Sequence, residues 1–441
     1  MMTELKPELA LEFKQKTVTP DEAVKVINSG DTVYIGTCSS VAHVLCEALG
    51  ERSDELENVR ITGALIQRPM GIYSGNDPKA FKAISFFMGP QERNMYTKGL
   101  GEYTSIHLSQ VDIFCKETAP ARVAFMEVSE PDEDGYMSYG ATGVALHKYV
   151  AEKAEIIILQ VNKNVPSVYG EDNKIHISQA NMVVFADDEL SGIDDLPPDD
   201  SVKKVSDFLI EQIPDGACIQ LGLGGISNAV GYGLMNKTDL GAHTEVMSES
   251  FMHLMEAGVM NNSRKTYMPG KTVASFTFGS KKLYEFIDHN ENMYYAPFPV
   301  VNDVRNIAKN DNMISINTAL AIDLTGQVCA DNIAGRQYSG VGGQIDFVRG
   351  SQLSKGGKSF IAINSSYNDK KKGLTSKIVP RLPELANVTT PRSEVQYVVT
   401  EHGCINLKPL TNKARTLALI ELAAPEFRAE LTEEAKRIGL I

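Results

Sequence analysis

The chain has 441 residues, with 43 Lys and Arg against 56 Asp and Glu, a formal net charge of −13 and 43% hydrophobic residues. That length calls for two or three domains, and the balance of apolar and charged residues excludes global disorder. The acidic excess argues against a general nucleic-acid binder, which needs a basic face, and leaves room for a local basic pocket.

Residues 1–16 mix Glu, Lys and Pro with apolar residues and lack the apolar block of a secretory leader. No apolar run approaches the roughly 18 residues of a membrane span, so a cytoplasmic protein without membrane partners is expected. Thr19 is set to cap a helix, with Pro20 at its first position and Asp21 and Glu22 in its first turn. That helix is expected to end at Gly30. Thr32–Ile35 has the β-branched and aromatic bias of a strand, Gly36 opens a small-residue turn, and a helix follows from Val41 to Leu49. Further strands are read at Val59–Ala64, Arg122–Val128, Ile156–Val161 and Met182–Ala186, and later at Phe360–Ile363 and Val395–Val399. Interleaved with helical patterns, they predict parallel sheets built from βαβ units.

The acidic, proline-containing stretch Asp187–Asp200 reads as a linker. After Ser201 the early pattern returns: a helix over Val202–Ile213, a strand over Ala217–Leu221, the turn Gly222-Leu-Gly-Gly-Ile-Ser, and a helix over Asn228–Leu234. Gly30 to Gly36 and Gly216 to Gly222 have the same spacing. Internal duplication is the preferred reading; a chance match between α/β segments is the other. The division that follows is 1–195 and 196–441, with the C-terminal Lys413–Ile438 helical and Pro425 starting the last helix. Ligands of such folds sit at the carboxyl ends of strands, which directs attention to the glycine-rich turns.

The backbone at Gly222–Ile226 is open enough for N–H groups to approach a phosphate or oxyanion at a helix N-terminus; a tight turn is the plainer reading. Ser227 stands where a dinucleotide fingerprint wants glycine. Glu245, in His243-Thr-Glu-Val-Met-Ser248, could present its carboxylate at a strand end or simply be solvated. His243 is equally readable as an ordinary hydrogen-bonded histidine. In Ser339–Gly350, the glycines 340, 342 and 343 make a candidate oxyanion hole or a tightly packed loop. Lys370–Lys372 reads as a solvated loop, with a phosphate role as the alternative. The six cysteines, at 38, 46, 115, 218, 329 and 404, form no CxxC pair, which favours reduced thiols over disulfides or a zinc site. No HExxH, Walker loop or GxSxG elbow is present.

Taken together, certain of these segments resemble the acetyl-CoA hydrolase/transferase family, within the class I CoA-transferases, and most nearly its 4-hydroxybutyrate CoA-transferases. The residues carrying the resemblance are Gly222–Ile226, His243–Glu245, Glu256-Ala-Gly-Val, Phe278–Tyr284, Tyr338–Gly350, Ser376–Pro380 and Thr400-Glu-His-Gly403, the last with His402 in the family's aromatic place. The resemblance as a whole covers nearly the whole chain, and these are its most specific pieces. The resemblance implies two similar CoA-transferase-type α/β domains with parallel-rich sheets and the active site between them. It implies Glu245 as the nucleophile of a ping-pong exchange through acyl-glutamyl anhydride and glutamyl-CoA thioester. It further implies that Gly222, Leu223, Gly224, Gly225, Ile226, Asn317 and Gly342, with Gly343 beside it, bind CoA or the oxyanion. No metal or prosthetic group is implied; CoA, acyl-CoA and a short-chain carboxylate such as 4-hydroxybutyrate or butyrate are the substrates, and the assembly is a homodimer. Gln67–Tyr73, Tyr139–Gly143 and Val168–Gly170 are loops that either line an acyl site or serve as scaffold. The competing readings are an acyl-CoA hydrolase of the same fold and a non-catalytic CoA- or nucleotide-binding protein. Ser227 counts against an NAD-dependent oxidoreductase.

Overall fold

The computed structural model describes residues 5–194, 202–333 and 335–441. The ends of the proposed linker and of the repeated segment, Asp195–Asp200 and Ser201, lie outside the described residues, as does the start of the N-terminal stretch. The chain forms two compact units. One comprises the described residues up to 194 with Val273–Val300; the other comprises those from 202 to Thr272 with Val301–Ile441.

The first unit is built on seven parallel strands: β1 (Thr32–Thr37), β2 (Val59–Ala64), β3 (Phe81–Ser85), β4 (Gly101–Tyr103), β5 (Val123–Val128), β6 (Ile156–Asn162) and β7 (Met182–Ala186). Their order is β4-β3-β2-β1-β5-β6-β7. Every residue of β1 and of β5 is buried, as expected of parallel strands covered on both faces, whose sequences run apolar without alternation. Val33, Ile35, Ile61, Phe125 and Ile158 of this sheet pack with Leu45 and Leu49 of the helix His43–Gly50. Burying each such side chain contributes roughly 1.5–3 kcal/mol.

A helix at Pro7–Lys16 precedes the one expected from Pro20, and the latter is shorter than the sequence pattern predicts. Thr19 does cap it, and the reciprocal Thr19–Glu22 capping box forms, but the α-helix covers only Pro20–Ala23 before one 3-10 turn. Side chains take the carbonyls that would have continued it. Arg52 donates to Val24 and Ile27, and Arg122 donates to the Val26 carbonyl while pairing with Asp31.

The second unit carries β8 (Cys218–Leu221), β9 (Gly241–Ala242), β10 (Met313–Thr318), β11 (Lys358–Ala362), β12 (Tyr397–Thr400) and β13 (Gly403–Asn406). The order is β9-β8-β10-β11-β12-β13, parallel except for the last pair. Helices α1 (Asn412–Leu422) and α2 (Pro425–Arg437) close this unit, with Leu419, Leu422, Leu431 and Ala435 in its core; Pro425 does start the last helix.

In both sheets the first strand lies inside, with the next strand on one side and a later strand on the other. Strand order therefore reverses between β1 and β5 and again between β8 and β10, which opens a crevice at each pair's carboxyl ends. The protein is an α/β fold with parallel-rich sheets. The glycines repeated at these turns serve different ends. Gly36 has φ +103°, and a Cβ there would lie 2.1 Å from the Ser40 carbonyl oxygen, whereas Gly222 has only ordinary contacts near 3.9 Å.

The observed division departs from 1–195 and 196–441 in one respect: Val273–Val300 packs with the first unit. The reason lies in backbone pairing. The Gly279 carbonyl accepts from Ile193, the Tyr295 amide and carbonyl pair with Tyr169 and Glu171, and Phe298 donates to Ala145. At Gly170 (φ +152°) the approach is so close that a Cβ would sit 1.8 Å from the Tyr295 carbonyl oxygen.

Candidate active site

The residues singled out in the second unit converge on the carboxyl edges of three neighbouring strands. Gly222–Gly225 leaves β8, Glu245 follows β9 by three residues, and Asn317 is the penultimate residue of β10. Leu223, Gly224 and Gly225 are exposed and Ile226 is buried. The helix after this turn runs Gly225–Gly233 and starts three residues earlier than its apolar pattern suggests, because the Asn228 amide already bonds the Gly224 carbonyl at 2.9 Å. The early start brings the first-turn amides, which have no intrahelical acceptor, to the glycine turn itself. A Cβ at Gly224 would meet nothing within 4 Å, so the space beside the loop is open. Asn317 is buried, and its Nδ2 donates to Gln220 Oε1 at 3.3 Å, tying the β10 edge to β8.

Glu245 is held tightly. Its Oε2 accepts from Asn302 Nδ2 at 3.0 Å, and the Gly343 N–H donates to the same carboxylate. Gly342 (φ +62°) and Gly343 lead into the helix Gln344–Leu353. A Cβ on Gly343 would lie 2.0 Å from Asn302 Nδ2 and 2.1 Å from Glu245 Oε2, so glycine here is a condition of the contact. The residue retains partial exposure, yet burial of the carboxyl pushes its pKa up to about 7. Asp346 adds to that rise, while the donors from Asn302 and Gly343 oppose it. A carboxylate with such a pKa is more basic than one in water and still substantially ionised at neutral pH. Both properties suit a nucleophile.

Asn302 and Asp346 were not assigned a role from the sequence. Asn302 is fully buried at the end of the apolar run Phe298–Val301, with its Oδ1 unpartnered among the described residues. A lone amide closing an apolar run was the available signal. Asp346 is also buried, within the segment first singled out for its glycines.

Other candidates fall elsewhere. Lys370–Lys372 forms the exposed turn of a hairpin, where Asp369 accepts from the Lys371 and Lys372 amides. Glu401 accepts from both the amide and the hydroxyl of Ser365, and His402 lies 3.5 Å from it. All six cysteines are free thiols. Gln67–Tyr73, Tyr139–Gly143 and Val168–Gly170 belong to the first unit, where Val168–Gly170 borders a cleft of about 500 Å³. Among the described residues no helix is long and apolar enough to cross a membrane, and no cluster of three or more His, Cys, Asp or Glu side chains could hold a metal.

Comparison with known proteins shows the family to which the chain belongs. The acetyl-CoA hydrolase/transferase N-terminal domain matches residues 2–194, and the C-terminal domain of the same family matches 279–435. The chain belongs to the acetyl-CoA hydrolase/transferase family. It is 39% identical over 427 residues to the 4-hydroxybutyrate coenzyme A transferase of Clostridium kluyveri, covering 96% of this chain and 98% of that one. It is 38% identical over 431 residues to the succinyl-CoA:cyclohexane-1-carboxylate CoA transferase of Geobacter metallireducens, covering 98% and 97%. The crystal structure of RipA from Yersinia pestis superimposes with a TM-score of 0.91 at 34% identity, covering 98% of this chain and all of that one. As a member of this family the protein is an enzyme of the CoA-transferase type. Glu245 lies between the two matched segments of the family, so its assignment rests on the geometry above and on its local motif.

Proposed function

We propose that the enzyme moves CoA between an acyl-CoA, such as acetyl-CoA, and a short-chain carboxylate of the 4-hydroxybutyrate or butyrate type, with Glu245 as the covalent relay. The observation that carries this reading is the Glu245 carboxylate, held by the Asn302 amide and the Gly343 N–H with its pKa raised by burial. A Glu245 oxygen adds to the thioester carbonyl; the C–O bond forms, the C–S bond breaks, and CoA leaves as thiolate. The thiolate then adds to the glutamyl carbonyl of the anhydride, expelling the acyl group as a carboxylate and leaving a glutamyl-CoA thioester. The acceptor acid enters and the two steps run in reverse. Each tetrahedral intermediate carries an oxyanion, and backbone N–H groups at Gly342–Gly343 and Gly222–Ile226 are the donors on offer. CoA contacts at Gly222, Leu223, Gly224, Gly225, Ile226, Asn317 and Gly342 would supply binding energy remote from the reacting carbon.

The chemistry calls on CoA as a diffusible substrate and on no metal or prosthetic group. The same reading includes a homodimer in the cytoplasm. The relatives named above, a 4-hydroxybutyrate transferase and a cyclohexane-1-carboxylate transferase, support carboxylate acceptors of more than one shape. The family's description as hydrolase/transferase favours one second reading, in which water resolves the acyl-enzyme. The test is thiol release from acetyl-CoA or butyryl-CoA with and without an acceptor acid. A transferase forms the new acyl-CoA and releases little free CoA without acceptor. Equal CoA release with and without acceptor would establish the hydrolase instead.

A further inference from the structure

The Asn302 amide fixes the Glu245 carboxylate, and the residue that fixes Asn302 lies two positions before Glu245. His243 Nε2 stands 2.8 Å from the carbonyl oxygen of Val301, the neighbour of Asn302. A carbonyl can only accept, so Nε2 carries the proton. Nδ1 is then the unprotonated nitrogen, and it is buried without a hydrogen-bond partner among the described residues. Burial, with the Lys265 charge adding to it, depresses the imidazole pKa to about 3. The ring is therefore a neutral, single-donor group throughout the working pH range.

Three further observations give the ring a fixed place. The His243 amide bonds the Ile219 carbonyl of β8. The ring meets Phe347, on the helix that begins just after Gly343, at 6.2 Å between centroids, and Tyr267 at 6.0 Å. Among the described residues no further strand joins the sheet beyond β9; Leu240 makes one backbone bridge to Met260, and then the Ala242 amide donates to Asn262 Oδ1 at 2.9 Å and Lys265 Nζ donates to the Ala242 carbonyl at 2.8 Å. Side chains thus take over from the backbone bridge at Ala242 and hold the strand end that leads into His243 and Glu245. The contacts close a ring: His243 to the Val301 carbonyl, Asn302 to Glu245, and back along the backbone through Thr244.

We propose that His243 is a positioning residue for Glu245: its Nε2–H, by holding the Val301 carbonyl, sets where the Asn302 amide donates to the nucleophile. The proposal rests on the reading of Glu245 as the covalent relay. It distinguishes a geometric role from a proton-transfer role, since the only proton on the ring is committed to a backbone carbonyl.

The test compares His243→Phe, which keeps an aromatic ring between Tyr267 and Phe347 but cannot donate, with His243→Gln, which restores an N–H donor. The readouts are kcat, KM for acyl-CoA and the acid limb of the kcat–pH profile. The charged groups near the pair are Asp346, on the helix after Gly343, and Lys265, beneath β9; neither is altered. With Asn302 displaced, ionised Glu245 loses a donor. In His243→Phe the acid limb should move to higher pH, and kcat at neutral pH should fall roughly tenfold or more, with KM within about threefold. His243→Gln should restore the limb and most of the rate. In an Asn302→Ala background, His243→Phe should add little, because both changes remove the same contact. An acid limb and kcat unchanged in folded His243→Phe would overturn the proposal, as would equal impairment in His243→Phe and His243→Gln with an unmoved limb. Should His243→Phe not fold, His243→Asn, too short to reach the Val301 carbonyl, replaces it: a displaced limb supports the proposal and an unmoved one overturns it. Glu245→Gln in the same assay separates the two failures, since full activity there would overturn the reading of Glu245 whatever His243 does.

Discussion

Substituting Gly343 by alanine probes the site with a single methyl group. The new Cβ would lie 2.0 Å from Asn302 Nδ2 and 2.1 Å from Glu245 Oε2, where real contacts essentially never fall below 3.0 Å. Both side-chain ends must therefore retreat by about an ångström, from a hydrogen bond of 3.0 Å, which breaks it. The backbone raises no objection: Gly343 has φ −97°, ψ 13°, accessible to any residue. A hydrogen bond to a charged group contributes about 1.5–3 kcal/mol, and removing one donor from an oxyanion-type site costs about 100–1000-fold in kcat. Gly343→Ala should thus lower kcat for CoA exchange about 100-fold or more, with overpacking costing about 1–3 kcal/mol of stability. The assay is exchange between butyryl-CoA and labelled acetate, followed by chromatography of the acyl-CoA products. Gly50→Ala, whose Cβ meets nothing closer than 3.8 Å, is the control and should stay near wild type. A folded Gly343→Ala enzyme within threefold of wild type would refute the reasoning.

Three other outcomes follow from the same geometry. Asn302→Ala should reduce kcat about 10–100-fold, from the loss of one charged hydrogen bond, and should move the acid limb upward, as read by steady-state kinetics across pH. In the wild type, turnover should rise with pH through an apparent value near 7, because the attacking form of Glu245 is the ionised one and burial has raised its pKa to about 7; a flat profile from pH 5.5 to 8.5 would contradict this. Stability should show the opposite slope. Burial pushes Glu92 and Glu127 up to about 8, against an ordinary value of 4.5. The folded state therefore binds these protons more tightly than the unfolded state. The stability they contribute is fully present below about pH 4.5 and is lost as pH rises through 8. Glu127→Gln, whose carbonyl oxygen can still accept from Gln160 and Asn162, should flatten part of that decline in thermal midpoint between pH 6 and 9.

Much of this site was legible in the sequence because its parts are backbone features that leave local marks. A strand ending in Gly222-Leu-Gly-Gly is readable as a turn feeding a helix, and the Gly342–Gly343 pair announces a place where another group comes close. The strands of the first sheet read well for a related reason: Val59–Ala64 and Met182–Ala186 are mostly buried and rich in β-branched or apolar residues, with only Arg60 and Phe185 exposed, and they match their predicted bounds. Asn302 was illegible because its role depends on a contact made 57 positions away in the chain. The one local mark, a lone amide closing a proline-containing apolar run, is shared by many asparagines and does not reveal that contact. The excursion of Val273–Val300 into the first unit was hidden for the same reason, since main-chain bonds such as Tyr295 to Tyr169 carry no side-chain signature. The early stop of the Pro20 helix was set by Arg52 and Arg122, residues distant in sequence that took its carbonyls.

The most direct test of the central claim is to find the covalent relay itself. The enzyme would be incubated with acyl-CoA, digested, and mapped by mass spectrometry, with borohydride reduction of the glutamyl thioester in a parallel sample. The account predicts a CoA adduct, or the reduced side chain after borohydride, on the peptide containing Glu245 only when acyl-CoA has been supplied, and no such change in Glu245→Ala. An adduct at another residue, or undiminished CoA exchange by Glu245→Ala, would contradict it.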